Sequence, residues 1–243
     1  MISQSAPHMA VRNQPPAWLF IDPVLPHSQP MLDLFELIAQ GDLDGLRAAV
    51  RRDPEVVTKR HSSGASVLAW AAYMGNVGAI AIIRAALERL DPYEAIIVGD
   101  NARLSEALDD GFNVNGLSPD GFSPLALAAF FGNGAAFDML LPRTRDVNVS
   151  AQNAQRVAAI HAATARRDAR AVEALLKAGA DPDLPQADGV TALHAAAMHG
   201  DTTIVGLLLL FGADPTLRNA KGKTAADFAQ DAGHGWLAKR LTR

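Results

Sequence analysis

Apolar residues occur in this chain as short runs, each long enough for about two turns of helix. Alanine pairs such as Ala162-Ala163 alternate along the chain with leucine-rich runs such as 207–210. Glycines follow many of these runs, where they can end a helix in a left-handed conformation. The pattern predicts pairs of short helices: an alanine-rich first helix that approaches its neighbours closely, and a second helix that supplies a continuous aliphatic core.

Two independent motifs repeat with the same period. Gly-Ala-Asp-Pro occurs at 179–182 and 212–215, and Ile-His-Ala-Ala at 160–163 returns as Leu-His-Ala-Ala at 193–196. Both motifs return after 33 residues. A shared period of this length predicts a solenoid, in which each unit contacts only its neighbours. The usual function of a solenoid is to hold another macromolecule on its extended surface.

The repeated units resemble a known family. Residues 188–201 resemble the first half of an ankyrin repeat, and residues 207–215 resemble its second half. Aligned on the position of His194, the copies have as equivalent residues Phe35, Ala69, Tyr93, Ala126, His161, His194 and Asp227. The chain is identified as a member of the ankyrin repeat family. The resemblance implies an all-α solenoid of about seven helix-turn-helix units with short β-turn fingers.

The chain divides into a proline-rich segment, residues 1–30, and the repeat array, residues 31–243. The helix pairs of the array are predicted near 32–51, 66–90, 92–109, 123–141, 157–177, 190–210 and 224–242. Residues 1–30 contain six prolines, which favour an extended chain. We expect the apolar Trp18-Leu19-Phe20-Ile21 to cap the first helix pair. The alternatives are that it lies in the groove of the array, or that the segment is disordered.

Three departures from the template predict local differences. Arg167 replaces the glycine that ends other first helices, so that turn is strained or built differently. Two extra residues near 148–156 enlarge one finger. The short interval between Ala69 and Tyr93 leaves no room for a finger, and Asp91-Pro92-Tyr93-Glu94 instead has the pattern of a helix start. We therefore expect an interrupted row of fingers.

Net charge and composition bear on the class of partner and on the location of the protein. The net charge of −4 argues against a partner recognised through a nucleic-acid backbone. There is no cysteine, no apolar run long enough to span a membrane, and no signal-peptide pattern. We expect a cytoplasmic protein that does not bind membranes and is a monomer when unbound. The alanine-rich, cysteine-free composition suggests a bacterial origin.

No residue pattern predicts catalysis, a cofactor or a metal site. Gly222-Lys223-Thr224 resembles the end of a phosphate-binding loop, but Leu217 stands where that loop needs a glycine. In the family, histidines at the positions of His161 and His194 hydrogen-bond the turns between repeats, so the resemblance gives both a structural role. We expect no enzyme.

The resemblance also implies where a partner binds, because ankyrin proteins usually use their finger tips and the concave ends of the first helices. Several of these positions carry aromatic residues or methionine, which are frequent in interfaces. The predicted partner-binding residues are Tyr73, Met74, Phe122, Phe130, Phe131, Arg166, Val190, Met198 and His199. A register error of one residue would instead turn some of these side chains into the core.

The sequence therefore predicts a non-enzymatic scaffold that binds a partner protein through its concave groove, centred on Phe130 and Phe131, and through its finger tips. The alternative is an inhibitor or immunity-type regulator that occludes the active site of a partner enzyme. That alternative predicts acidic residues beside the apolar groove, and the candidates are Asp109, Asp110, Asp120 and Asp188.

Overall fold

A computed structural model describes residues 33–242 of the chain. The predicted cap Trp18-Leu19-Phe20-Ile21 lies outside the described residues. Over 33–242 the chain forms fourteen α-helices, three short 3-10 helices and no β-strand. The prediction of an all-α solenoid is therefore confirmed.

The helices form seven consecutive pairs. Their bounds are α1 Leu34–Gln40, α2 Leu43–Arg52, α3 Val67–Tyr73, α4 Val77–Ala86, α5 Pro92–Val98, α6 Asn101–Asp109, α7 Pro124–Phe131, α8 Gly134–Leu140, α9 Ala159–Ala165, α10 Ala169–Lys177, α11 Ala192–Met198, α12 Thr202–Leu210, α13 Ala225–Asp231 and α14 Gly235–Leu241. The 3-10 helices are Pro54–Thr58, Leu141–Arg143 and Ala187–Gly189.

A two-residue signal separates the helices within each of the first six pairs. The first residue takes a left-handed conformation, which ends the first helix, and the next is an Asp or Asn that caps the second. Asn133, for example, accepts the amide hydrogen of Ala136 at 3.1 Å. In the fifth pair the left-handed residue is Arg167, with φ of 58°. The chain thus keeps the usual turn there in spite of the Cβ atom.

The first helices pack side by side in one layer and the second helices form another layer behind them. Contacts between neighbouring first helices, such as α7 with α9 and α11 with α13, are more extensive than those between neighbouring second helices. Alanines at 128, 129, 162, 163, 196 and 197 are buried between the first helices and allow this close approach. The layer of first helices therefore lies on the inner, concave side.

Hairpin-like fingers precede several first helices, at residues 61–65, 118–122, 151–157, 186–190 and 219–223. Two backbone hydrogen bonds close the finger of the fourth pair: Ser118 N–H to Phe122 O and Gly121 N–H to Ser118 O, both 2.8 Å. Successive fingers are joined by further bonds, such as that from Gln152 N–H to the Gly121 carbonyl at 2.9 Å. The finger at 151–157 is two residues longer than the others.

The third pair has no finger. A short connection, residues 87–91, leads from α4 directly into α5. At its end Asp91 Oδ1 accepts from Glu94 N–H at 2.8 Å, and Glu94 Oε2 accepts from Asp91 N–H at 3.0 Å, which confirms the predicted helix start. The expected interruption in the row of fingers leaves no open gap. Gly64, in the finger of the second pair, lies directly against Pro119, in the finger of the fourth pair.

Candidate functional site: an aromatic cluster in the concave groove

Four aromatic residues on the concave side form one contact group, called here the aromatic cluster: Tyr73, Phe122, Phe130 and Phe131. The Tyr73 ring centroid lies 5.5 Å from that of Phe131 and 6.1 Å from those of Phe122 and Phe130. Phe130 and Phe131 meet edge to face at 5.0 Å. These are favourable geometries for aromatic pairs. All four side chains are partly exposed and pack on the core with their inner edges.

The missing third finger explains why these residues meet. Tyr73 ends α3 in the second pair, whereas the three phenylalanines belong to the fourth pair. Because the third pair has no finger, the fingers of the second and fourth pairs are neighbours. The Tyr73 side chain therefore reaches past the third pair to the phenylalanines of the fourth. The cluster therefore spans three helix pairs on the concave face.

A polar network fixes the Tyr73 end of the cluster. The Tyr73 hydroxyl donates to Asp120 Oδ2 at 2.7 Å, and Ser118 Oγ donates to Asp120 Oδ1 at 2.5 Å. Ser118 Oγ in turn accepts the Phe122 amide hydrogen at 2.9 Å. Burial, together with the Asp120 carboxylate, raises the pKa of Tyr73 well above its ordinary value. Tyr73 therefore stays a hydrogen-bond donor at neutral pH.

Arg166 borders the cluster on its other side. A Cβ atom built at Gly132 would lie 2.6 Å from Arg166 Nη2, so the guanidinium rests on the backbone of Gly132, immediately after Phe131. The Arg166 side chain is exposed. Within residues 33–242 it forms no ion pair or side-chain hydrogen bond. Its guanidinium lies at the carboxyl end of α7, where the helix dipole favours a cation.

The remaining predicted residues extend along the groove and do not join the aromatic contacts. Met74 follows Tyr73 and packs against the core. Val190, Met198 and His199 belong to the sixth pair. Met198 is 42% exposed. Partial burial and the positive charge of Arg167 lower the pKa of His199. The nine predicted positions thus separate into a compact aromatic group and a continuation of mixed apolar and basic residues.

The acidic residues considered beside the groove have different positions. Asp120 is hydrogen-bonded to the aromatic cluster. Asp109 and Asp110 lie at the end of α6, a second helix, and Asp110 is 3.7 Å from Arg89. Asp188 is exposed at a finger tip, where its carbonyl accepts from the Ala220 amide at 2.7 Å. In this set Asp120 alone contacts the cluster.

The buried histidines bridge successive units. His161 Nδ1 accepts from Ala158 N–H at 3.0 Å, which leaves Nε2 to donate to the Leu184 carbonyl at 2.8 Å. His194 makes the same bridge to the Lys223 carbonyl at 3.1 Å. Burial lowers the pKa of His161 to about 4. A neutral histidine can accept a hydrogen bond at one ring nitrogen and donate one from the other, so each of these residues joins the start of its own helix to the next turn of the chain.

Comparison with protein families assigns the C-terminal part. Residues 159–243 match the family model described as ankyrin repeats, in three copies. This part of the chain is an ankyrin-repeat array. The matched residues contain the fifth, sixth and seventh pairs. No curated protein sequence is significantly similar to the chain.

The first four pairs lie before the matched residues and repeat the same helix-pair architecture with altered details. Phe35, Ala69, Tyr93 and Ala126 stand where His161 and His194 bridge the later repeats. Between the first and second pairs an aromatic stack occupies the place of this bridge: the rings of His61 and Trp70 lie 4.2 Å apart, and Phe35 meets both edge-on. The aromatic cluster lies in this altered part of the array of helix pairs.

Sequence reasoning missed two strongly exposed apolar side chains on second helices. Leu210 is 78% exposed at the end of α12, and Trp236 of α14 is 64% exposed with Arg240 stacked 5.3 Å from its ring centroid. A signal was present at Leu210, since four consecutive leucines, 207–210, cover every side of a helix and cannot all face the core.

The described residues, 33–242, contain no group of three or more side chains placed to hold a metal ion. None of their helices is both long and apolar enough to cross a membrane.

Proposed function

We propose that this chain is a non-enzymatic, cytoplasmic scaffold that binds a partner protein through the concave groove and the finger tips. Ankyrin repeats generally mediate protein–protein interaction, and they are typically non-catalytic. The observation that supports this function most directly is the aromatic cluster. Four aromatic side chains lie together and partly exposed in a chain that has only 6% aromatic residues.

The position and rigidity of the aromatic cluster suit it for binding. Aromatic side chains that become fully buried at the centre of an interface often contribute about 2 kcal/mol or more each. Tyr73 is already held by Asp120, so little side-chain freedom is lost when a partner covers it. The cluster also spans three pairs, which gives a partner an extended contact surface.

The test is affinity capture from the lysate of the native host, comparing wild type with Phe130→Asp/Phe131→Asp. Trp236→Asp is the matched control, because it places the same charge on an exposed aromatic of the outer side. Circular dichroism establishes that each variant is folded. Phe131→Ala serves as a milder substitution if the double variant unfolds.

We expect a partner that wild type and Trp236→Asp retain and that the groove variants lose. Retention by all variants would refute binding through the aromatic cluster. If the partner is an enzyme whose activity falls to zero in the complex, the inhibitor or immunity-type alternative is the correct description.

A further inference from the structure

The residue that precedes each left-handed turn forms a row along the concave side. From the second to the sixth pair this row reads Met74, Val98, Phe131, Arg166 and His199. Its character changes between the fourth and fifth pairs, from apolar to polar and basic. Phe131 and Arg166 are the two residues at this boundary.

Arg166 differs from the arginines that follow it. Arg167 Nε lies 3.2 Å from Asp201 Oδ2, and Arg170 donates to both oxygens of Asp138 at 3.0–3.2 Å. Arg166 has no such carboxylate among residues 33–242, and its guanidinium lies against the backbone of Gly132. The Arg166 side chain is exposed, so its N–H groups can reach a ligand near Gly132, the residue that follows Phe131.

A planar guanidinium with free N–H groups matches a carboxylate, which it can bind through two parallel hydrogen bonds. Neighbouring first helices lie about 10 Å apart, and an extended chain advances about 3.3 Å per residue. In an extended ligand with one residue on the aromatic cluster, a second residue about three positions along the ligand therefore reaches Arg166.

We infer that the groove recognises an extended segment of the partner protein in which an Asp or Glu lies within about three residues of a bulky apolar side chain. The apolar side chain packs on Tyr73 and Phe131, and the carboxylate binds Arg166. This inference rests on the proposed function and gives the partner a chemical class.

The experiment uses the full chain and random peptides displayed on phage as the probe. Peptides enriched on wild type are synthesised, and their affinities are measured by fluorescence anisotropy for wild type, Arg166→Glu, Arg166→Lys and Phe130→Asp/Phe131→Asp. Arg51→Glu is the matched control, since Arg51 is exposed on α2, a second helix.

We expect the enriched peptides to share an acidic residue near an apolar one. Arg166→Glu should weaken their binding about tenfold or more, because a charged hydrogen-bonded pair is replaced by repulsion. Arg166→Lys should lose less affinity for the peptides than Arg166→Glu, and Arg51→Glu should bind them as tightly as wild type does. Added salt should weaken binding to wild type and have less effect on Arg166→Glu.

Three results would overturn the inference, and they are distinguishable. Peptides that require Phe130 and Phe131 but bind Arg166→Glu as tightly as wild type would refute the acidic ligand and leave the proposed function intact. Peptides that bind the Phe130→Asp/Phe131→Asp variant unchanged, or a failure to enrich any peptide, would count against both proposals.

Discussion

Gly64 and Pro119, which belong to the fingers on either side of the missing third finger, are in direct backbone contact. A Cβ atom at residue 64 would overlap the carbonyl oxygen of Pro119 and lie 2.5 Å from its carbonyl carbon. Gly64 also has a φ of 92°, which side chains rarely adopt. This contact brings the second and fourth pairs together, and so allows Tyr73 to reach Phe122 and Phe131.

Replacing this glycine should therefore be unusually costly. We expect Gly64→Ala to lower the free energy of unfolding by about 3 kcal/mol, from the left-handed backbone and the overlap together. Gly222→Ala is the control: Gly222 has a φ of 73° in the last finger but no atom within 4 Å of its Cβ position. It should lose only about 1 kcal/mol. Urea unfolding measures both, and equal losses would contradict the finger contact.

Tyr73 joins the same two pairs through Asp120. Tyr73→Phe removes one hydrogen bond to a carboxylate that keeps its bond from Ser118, so a loss of about 1 kcal/mol is expected. The raised pKa of Tyr73 predicts a further effect. Above about pH 10 the unfolded chain releases this proton while the folded chain retains it, so stability falls with rising pH.

The alkaline fall in the free energy of unfolding should be smaller in Tyr73→Phe than in wild type. Urea unfolding at neutral pH and above pH 10 measures it. Tyr93→Phe is a useful comparison, because burial also raises the pKa of Tyr93. In that variant Tyr73 is the one tyrosine left in the chain, so the tyrosine contribution to the alkaline loss comes from Tyr73. Identical alkaline losses in wild type and Tyr73→Phe would contradict the buried Tyr73 phenol.

Local signals made much of the fold predictable from sequence. The turn residues and the Asp or Asn caps that follow them mark each helix pair, and Asp91 and Glu94 mark a helix start without a finger. The aromatic residues of the groove were found because their positions relative to these turns are fixed by the repeat. Each of these predictions depends on residues that are close in sequence.

Relationships between distant pairs were not predictable. Tyr73 and Asp120 are 47 positions apart, and their bond exists because the neighbouring fingers close over the missing one. A sequence pattern shows that a finger is absent but not that the fingers on either side of the gap come into contact. The same holds for Arg166, whose direction toward Gly132 depends on the spacing of two helix pairs.

Arg167 tests the cost of a left-handed turn without glycine. Arg167→Gly relieves the backbone at φ of 58° but removes the 3.2 Å pair with Asp201, an exposed interaction of small value. Arg167→Ala removes the same pair and keeps the unfavourable backbone. We expect the glycine variant to be more stable than the alanine variant by about 1 kcal/mol in urea unfolding. The opposite order would show that the turn rearranges when the arginine is lost.

His161 predicts how the array responds to acid. Its pKa is lowered to about 4 by burial, from an ordinary value of 6.5. The unfolded chain therefore takes up a proton as pH falls below 6.5 while the folded chain resists until about pH 4. Stability that is fully present above pH 6.5 is lost through this window, up to about 3 kcal/mol from this residue.

His161→Gln should be less stable than wild type at neutral pH, because the bridge from Ala158 to the Leu184 carbonyl is disturbed. This variant should also lose less stability than wild type between pH 6.5 and pH 4, because the glutamine side chain does not bind a proton in this range. Proton NMR of the imidazole ring provides an independent measurement in wild type. A ring signal that titrates near pH 6.5 would mean that His161 is open to water and does not bridge the two repeats.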